Sequence, residues 1–497
     1  MSTTSTMSAA RPFTRPATNF TLLLLGIGAV MSSGCWPRQL VVWSPDGGRA
    51  VVMDANSTSL CDGEGKLARL DVGPAQAAAW MPDSKRVLLA ISKSAGTWAD
   101  LAKTLDEPTR QAVIAAADDF EKAMLAAPAD ATLTEDDAVE PIVKKVFENR
   151  GSLLTAALIY LRNAKPDALR KRLGEKWKEL DKLSVGYTRL GLFELDGLSL
   201  KPATVILNSL KGIQELRLSP DGRAVAYVTG SDSEENSFTL WLVPMTAEAT
   251  PRKLADRVAM FPDWSADGQH VAYVQASAGA DSKSLRLGTL ARSRVADANG
   301  ALLAEPPDAE ELAGLIFADT IIVRCLADGR ILFSAAEVAL PTTAADMPEQ
   351  MSLFAIDPAR PAVVTRMIPR QSEAQIPNRL LFELSPDRTH VSIAGSDAKV
   401  CVVSLADGKT TWVQQTEGKL RILPSWRSAD ELCFILPAAK NNPSARPEVA
   451  LWSKGKTKLI SKTWPDKVMK NLTFAPSQKQ PPTTAPATKP GKADKGF

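Results

Sequence analysis

The chain has 497 residues, with 59 Lys and Arg against 56 Asp and Glu, and a net charge of +3. That near-balance excludes a general polyanion binder, so no nucleic-acid role is expected. The 45% apolar content is that of an ordinary globular protein. The length would hold two or three average domains unless a repeat organises it as one unit.

Arg11 and Arg15 precede an apolar stretch at 20–31, followed by Ser32-Ser33-Gly34-Cys35. A positive flank, a short apolar run and small residues make an export signal over 1–34. The run falls short of the ~20 residues a spanning helix needs. The small residues ending at Cys35 resemble the lipobox of bacterial lipoproteins, with Ser32 where that family usually has Leu or another aliphatic residue. The resemblance implies that Cys35 is the lipidated first residue of the mature chain and anchors it to a membrane. Plain secretion and a short uncleaved anchor are the other readings of the same segment.

From residue 39 the chain repeats one pattern seven times: an apolar run, a turn centred on Asp, and a second apolar run. The clearest copies are Val42-Trp43-Ser44-Pro45-Asp46-Gly47, Leu218-Ser219-Pro220-Asp221-Gly222 and Trp264-Ser265-Ala266-Asp267-Gly268; looser ones centre on Asp83, Asp328, Asp387 and Asp430. Pro presets φ, Asp bonds the local backbone and Gly accepts positive φ, so each copy predicts a hairpin between two strands. The Asp spacings are 37, 138, 46, 61, 59 and 43. Four-stranded propeller blades repeat at roughly 40–50 residues. All but one spacing fit that period with modest loop insertions, and the interval of 138 hides about 90 extra residues. Further strands are predicted at Phe238–Val243, Arg252–Leu254 and Val400–Ser404.

These copies resemble the TolB-type, WD40-like (PD40) β-propeller repeat family over about 39–96 and 186–462. The resemblance implies an all-β disc of about seven four-stranded blades around a central channel. The fifth and seventh copies lack the Ser-Pro pair, and Leu472-Thr473-Phe474-Ala475-Pro476-Ser477 starts like an eighth, so six to eight blades fit. The predicted organisation is a signal at 1–34, the first two blades at 35–96, a helical insertion at 97–185 between the second and third blades, the remaining blades at 186–476, and a disordered Pro/Thr/Lys-rich tail at 477–497.

Within the insertion, Trp98–Leu125 has apolar residues at helical spacing and predicts one helix; a second is expected from Thr134, and a last helical segment spans 151–183. Its polar side carries Arg170, Lys171, Arg172, Lys176 and Lys178 beside Trp177. This makes a possible partner surface, with a solvated helical cap as the plainer alternative. A long insertion in a repeat protein tends to mark the working face.

Little chemistry is visible. His270 and His390 both fall three residues after their turn Asp, where Arg49 and Arg86 stand in other copies. They are therefore repeat positions, and a zinc ligand set or a Ser-His-Asp triad is not expected. There is no Gly-x-Ser-x-Gly elbow and no phosphate-binding loop. Asp54-Ala55-Asn56-Ser57-Thr58 begins like a calcium loop but lacks its Gly and final acid. Cys61, Cys325, Cys401 and Cys433 have no metal spacing and read as buried thiols. Trp43, Trp80, Trp264 and Trp426 read as packing between blades.

No catalytic, cofactor-binding or metal residues are expected, and no cofactor. The expected function is a monomeric, non-enzymatic, exported propeller, lipid-anchored, binding a protein or envelope component. The alternative is a propeller enzyme acting on carbohydrate or peptide in a central-channel pocket.

Overall fold

The structure, a computed structural model, describes residues 39–126, 152–167, 170, 183–230, 238–277, 286–317, 321–336, 351–368, 381–394, 399–414, 423–436 and 446–473. The signal segment with Cys35, the expected helix from Thr134, the tail from Phe474, and Lys171, Arg172, Lys176, Trp177 and Lys178 lie outside them. The chain divides into two units, one of residues 1–32 and 94–186, the other of 33–93 and 187–497.

The larger unit is built of antiparallel sheets, and each Asp-centred turn joins two successive, paired strands. Copy 1 runs Val41–Trp43, Arg49–Met53, Thr58–Asp62 and Leu67–Arg69 in that spatial order. Copies 5, 6 and 7 repeat it from Val323–Cys325, Leu381–Leu384 and Ser425–Trp426. Copies 3 and 4 begin at Ile213–Leu218 and Asp263–Trp264. They share one longer sheet, joined by the single pairing of Val258 with Gln275. The architecture is therefore mostly β, of propeller type.

Second strands such as Ala224–Gly230 are buried on both faces, and alternate residues enter different cores. Val51 and Met53 pack with Trp80, Leu89 and Ile91 of copy 2, whereas Ala50 and Val52 pack with Cys433, Ile435 and Leu451 of copy 7. Leu88 and Ala90 turn the other way, to Val225 and Tyr227 of copy 3. The period of two thus glues each sheet to both neighbours. Each fully buried Val or Leu contributes roughly 1.5–3 kcal/mol.

The first strands lie side by side: copy 1 touches copy 2, copy 2 touches copy 3, copy 3 touches copy 4, copy 4 touches copy 5, copy 6 touches copy 7, and copy 7 touches copy 1. Copies 5 and 6 are joined by side chains described below.

Two boundaries differ from expectation. The insertion does not fall between the second and third sheets. The chain leaves the second sheet after Arg86–Ala95 and re-enters it as the neighbouring strand Val185–Asp196, so the insertion splits one sheet. Leu472-Thr473 does not begin an eighth copy. It ends a helix, Asp466–Thr473, whose Met469 and Leu472 bury with Trp464 against copies 1 and 7. The spacing of three between these apolar residues suits a helix and not a strand.

In the smaller unit, the single helix expected over Trp98–Leu125 is two: α1 (Trp98–Ala102) and α2 (Glu107–Ala126). Pro108 has no N–H to give a preceding turn, and its ring excludes the carbonyl four residues back. Asp106 caps the restart, its Oδ1 accepting from Thr109 N at 2.9 Å. Thr97 caps α1. A third helix, α3 (Ser152–Ala164), buries Ala156, Ala157, Ile159 and Leu161. It sets Tyr160 edge-on to Trp98 at 5.0 Å, and Lys165 just beyond it pairs with Glu121 of α2.

Candidate functional site

The conspicuous turn residues are occupied by the turns. Ser44, Ser219, Ser265 and Ser385 each donate to Oδ1 of the Asp two residues on, at 2.5–2.6 Å. The same Oδ1 accepts the backbone N–H of Gly48, Arg223, Gln269 or Thr389. The Ser44 hydrogen bond is the main influence that lowers the Asp46 pKa. In Asp221, Asp267 and Asp387 burial pulls upward and is outweighed by these bonds, which hold the carboxylates low.

The residue after the Asp is left-handed in six copies: Gly47, Ser84, Gly222, Gly268, Gly329 and Arg388. Ser84 and Arg388 carry that conformation at a steric cost that Gly avoids. Copy 7 departs from the pattern: Asp430 N donates to Ser428 Oγ at 3.3 Å, and Lys454 approaches the Asp430 carboxylate at 3.6 Å.

His270 and His390 open second strands, as do Arg49 and Arg86, in agreement with a repeat position. Burial, and then Arg292, lower the His270 pKa. Asp54 is a turn residue: its carboxylate accepts from Asn56 N, Ser57 N and Ser57 Oγ. Cys61, Cys325, Cys401 and Cys433 are buried and free, and burial pushes the thiols of Cys61, Cys401 and Cys433 up to about 12. Among the described residues no group of His, Cys, Asp and Glu could hold a metal ion, and no helix is long and apolar enough to cross a membrane. Of the expected partner surface only Arg170 is described; it is exposed, with Asp167 at 3.7 Å.

Three of the four repeat tryptophans tie neighbouring sheets. Trp80 Nε1 donates to Val42 O at 2.8 Å, Trp264 to Arg217 O at 2.8 Å and Trp426 to Glu383 O at 3.0 Å. Each acceptor is the first-strand residue four positions before the turn Asp of an earlier copy. Trp43 is covered differently, by the Arg427 guanidinium 5.1 Å from its ring centroid.

That acceptor position is where the site lies. Across the seven copies it holds Val42, Ala79, Arg217, Asp263, Arg324, Glu383 and Ser425, the last one place further from its Asp because its turn is longer. Four successive copies are charged, and three of the side chains meet. Arg324 Nε and Nη2 grip the two oxygens of Glu383 at 2.7 and 2.6 Å. Its Nη1 donates to Val323 O, so each nitrogen of this almost fully buried guanidinium has a partner. Arg217 Nη2 donates to Glu383 Oε2 at 3.0 Å, although two copies lie between theirs. Arg217 Nε lies 2.9 Å from Oε1 of Glu215, two residues back on the same strand. Asp263 Oδ2 accepts from Cys325 N at 2.8 Å.

Burial pushes the Glu383 pKa up, but the two guanidiniums outweigh it and hold the group at about 2. Glu215 goes the other way. Burial raises its pKa, Arg217 and Arg324 oppose the rise, and the Glu383 charge adds to it. Six copies carry an apolar residue where copy 3 has Glu215, two places before the charged position. Sequence reasoning missed the cluster. Its signal was available: the residue four before each turn Asp, compared copy by copy.

No protein-family model matches the chain, and no curated protein is similar to it in sequence. Solved structures similar to it include a putative TolB from Agrobacterium tumefaciens, at 12% identity and a TM-score of 0.35, over 52% of this chain and 84% of that one. A puromycin hydrolase mutant is similar at 13% identity and a TM-score of 0.46; the match takes in 90% of this chain and about half, 55%, of the hydrolase. An oligogalacturonate lyase in complex with manganese is similar at 10% identity and a TM-score of 0.43, over 87% and 91% of the two chains. At these scores the likenesses add nothing to what the chain's own sheets show.

Proposed function

We propose that the seven copies are seven blades of one closed propeller, and that it is a non-enzymatic binding scaffold for a protein or envelope component. The observation that supports a scaffold is the state of Glu383. A carboxylate gripped by two guanidiniums and held at about 2 has no proton to give at neutral pH and little tendency to accept one. Arg217, Arg324 and Glu383 are spent on one another, and Asp263 on the backbone N–H of Cys325. Export and a lipid anchor at Cys35 belong to the same proposal and rest on the signal-like N-terminus. The helical insertion, with its basic stretch from Arg170 to Lys178, is the proposed partner-specific surface.

Crosslinking pull-down from intact bacterial envelopes, with and without residues 97–185, tests this. The expected result is a defined partner lost on deletion; the same partners from both chains would remove the insertion from the proposal. Palmitate incorporation into the wild type and not into Cys35→Ser tests the anchor. A second reading, an enzyme acting on carbohydrate or peptide, has Glu215 in its favour, a half-buried carboxylate with a raised pKa. Turnover in a glycan and peptide screen, abolished by Glu215→Gln, would replace the scaffold by that enzyme.

A further inference from the structure

The bridge between Arg217 and Glu383 joins copies that are not neighbours. Copy 3 touches copies 2 and 4 through its first strand, and copy 6 touches copy 7. Around the sequence of first strands the two lie three steps apart one way and four the other. A hydrogen bond between them therefore spans the middle of the ring, from a strand on one side to a strand on the far side. Arg324 of copy 5 closes on the same carboxylate, so three copies converge on Glu383.

The geometry points to a latch. The Arg217–Glu383 bridge, backed by Arg324, shuts the passage between the first strands and holds the short strand Val323–Cys325 in place. This inference rests on the ring reading above and needs no partner, so its failure and that of the scaffold are separate.

Three features support a latch over an ordinary ion pair. The strand it pins has three residues and ends against the next copy through Arg388, which donates to Cys325 O. So short a strand has little ladder of its own to hold it. The guanidinium is also shared: its Nη2 holds Glu383 while its Nε lies 2.9 Å from Glu215, so its charge is divided between two carboxylates. Finally, the opposite arc holds the uncharged Val42, Ala79 and Ser425 at this position.

Cys325 reports on the latch. It follows Arg324 on the pinned strand and is buried, with its thiol 3.9 Å from Asp263 O. Cys61, Cys401 and Cys433 are equally buried in other sheets and serve as internal controls. The test is labelling of the full-length protein with N-ethylmaleimide, with each cysteine read separately by peptide mass spectrometry. In Arg217→Met and Glu383→Gln, Cys325 is expected to label roughly tenfold faster or more while the three controls keep their wild-type rates. In Glu215→Gln, which leaves the Arg217 charge to Glu383 and is expected to fold, Cys325 should label more slowly than in wild type. Three results would overturn the latch: Cys325 staying protected in both bridge variants, all four cysteines reacting together, or Glu215→Gln labelling at the wild-type rate or faster.

Discussion

One repeat position does two kinds of work around the first strands. Through copies 3 to 6 it holds Arg217, Asp263, Arg324 and Glu383; the two arginines bind Glu383, and Asp263 accepts from the backbone of Cys325. Through copies 7, 1 and 2 it holds Ser425, Val42 and Ala79, and the junctions there depend on large planar side chains. Arg427 covers Trp43 and its Nε donates to Gly47 O at 2.9 Å. Trp464 Nε1 reaches Gly65 O at 2.8 Å, from the other end of the chain. Equivalent backbone positions thus tolerate an ionic arc and an aromatic one. Ion pairs tie specific atoms and fail badly when one partner goes; indole clasps combine apolar area with one hydrogen bond and fail by degrees.

Breaking the ionic arc has the largest expected effect. Glu383→Leu leaves Arg324 buried without its carboxylate and should cost about 3–5 kcal/mol in urea unfolding at pH 7. A carboxylate with a depressed pKa stabilises above its unfolded value and loses that contribution as pH falls. The wild type should therefore lose stability between about pH 4.5 and 2, and the variant should lack that part of the acid transition. A loss below 1 kcal/mol would show that the arc does not hold the fold.

In the aromatic arc, Trp464→Phe keeps most of the packing and removes the bond to Gly65 O. About 1–3 kcal/mol is expected, readable as a lower urea midpoint. Two turn glycines sharpen the contrast. Gly329→Ala meets open space and should cost about 1 kcal/mol for its positive φ alone. Gly47→Ala adds a methyl 2.6 Å from Arg427 O at the closing junction and should cost clearly more. Equal costs would mean that the junction yields freely.

The smallest effect has the opposite sign. Glu215 has a raised pKa, so its contribution is present at low pH and lost as pH rises through the folded value. Glu215→Gln should therefore stabilise modestly at pH 8 and not at pH 4, measured as thermal midpoints. Destabilisation at pH 8 would show that Arg217 needs both carboxylates.

The hairpins were legible because local chemistry sets them: Ser, Pro, Asp and Gly each act within a few residues. The histidines and the turn aspartates could be assigned to the scaffold for the same reason. The charged cluster could not be seen in this way, because Arg217 and Glu383 are 166 residues apart and meet only when the sheets are arranged. The insertion boundary failed similarly. Val185–Asp196 reads as a strand, yet nothing local says that its neighbour is Arg86–Ala95. The break in the first insertion helix was visible at Pro108, where apolar periodicity alone was a poor guide.

The last packed helix bears on the order in which the chain can fold. Asp466–Thr473 and Trp464 complete a core whose other half is Val41, Trp43 and Val52. The earliest strands to be made therefore wait for almost the whole chain before their outer face is covered. The splitting of the second sheet imposes a shorter wait of the same kind, from residue 95 to residue 185. Until those partners arrive, paired but uncovered strands stand ready to join other chains. Truncation a few residues before Trp464 should thus yield an aggregating chain, although it would remove none of the seven repeats.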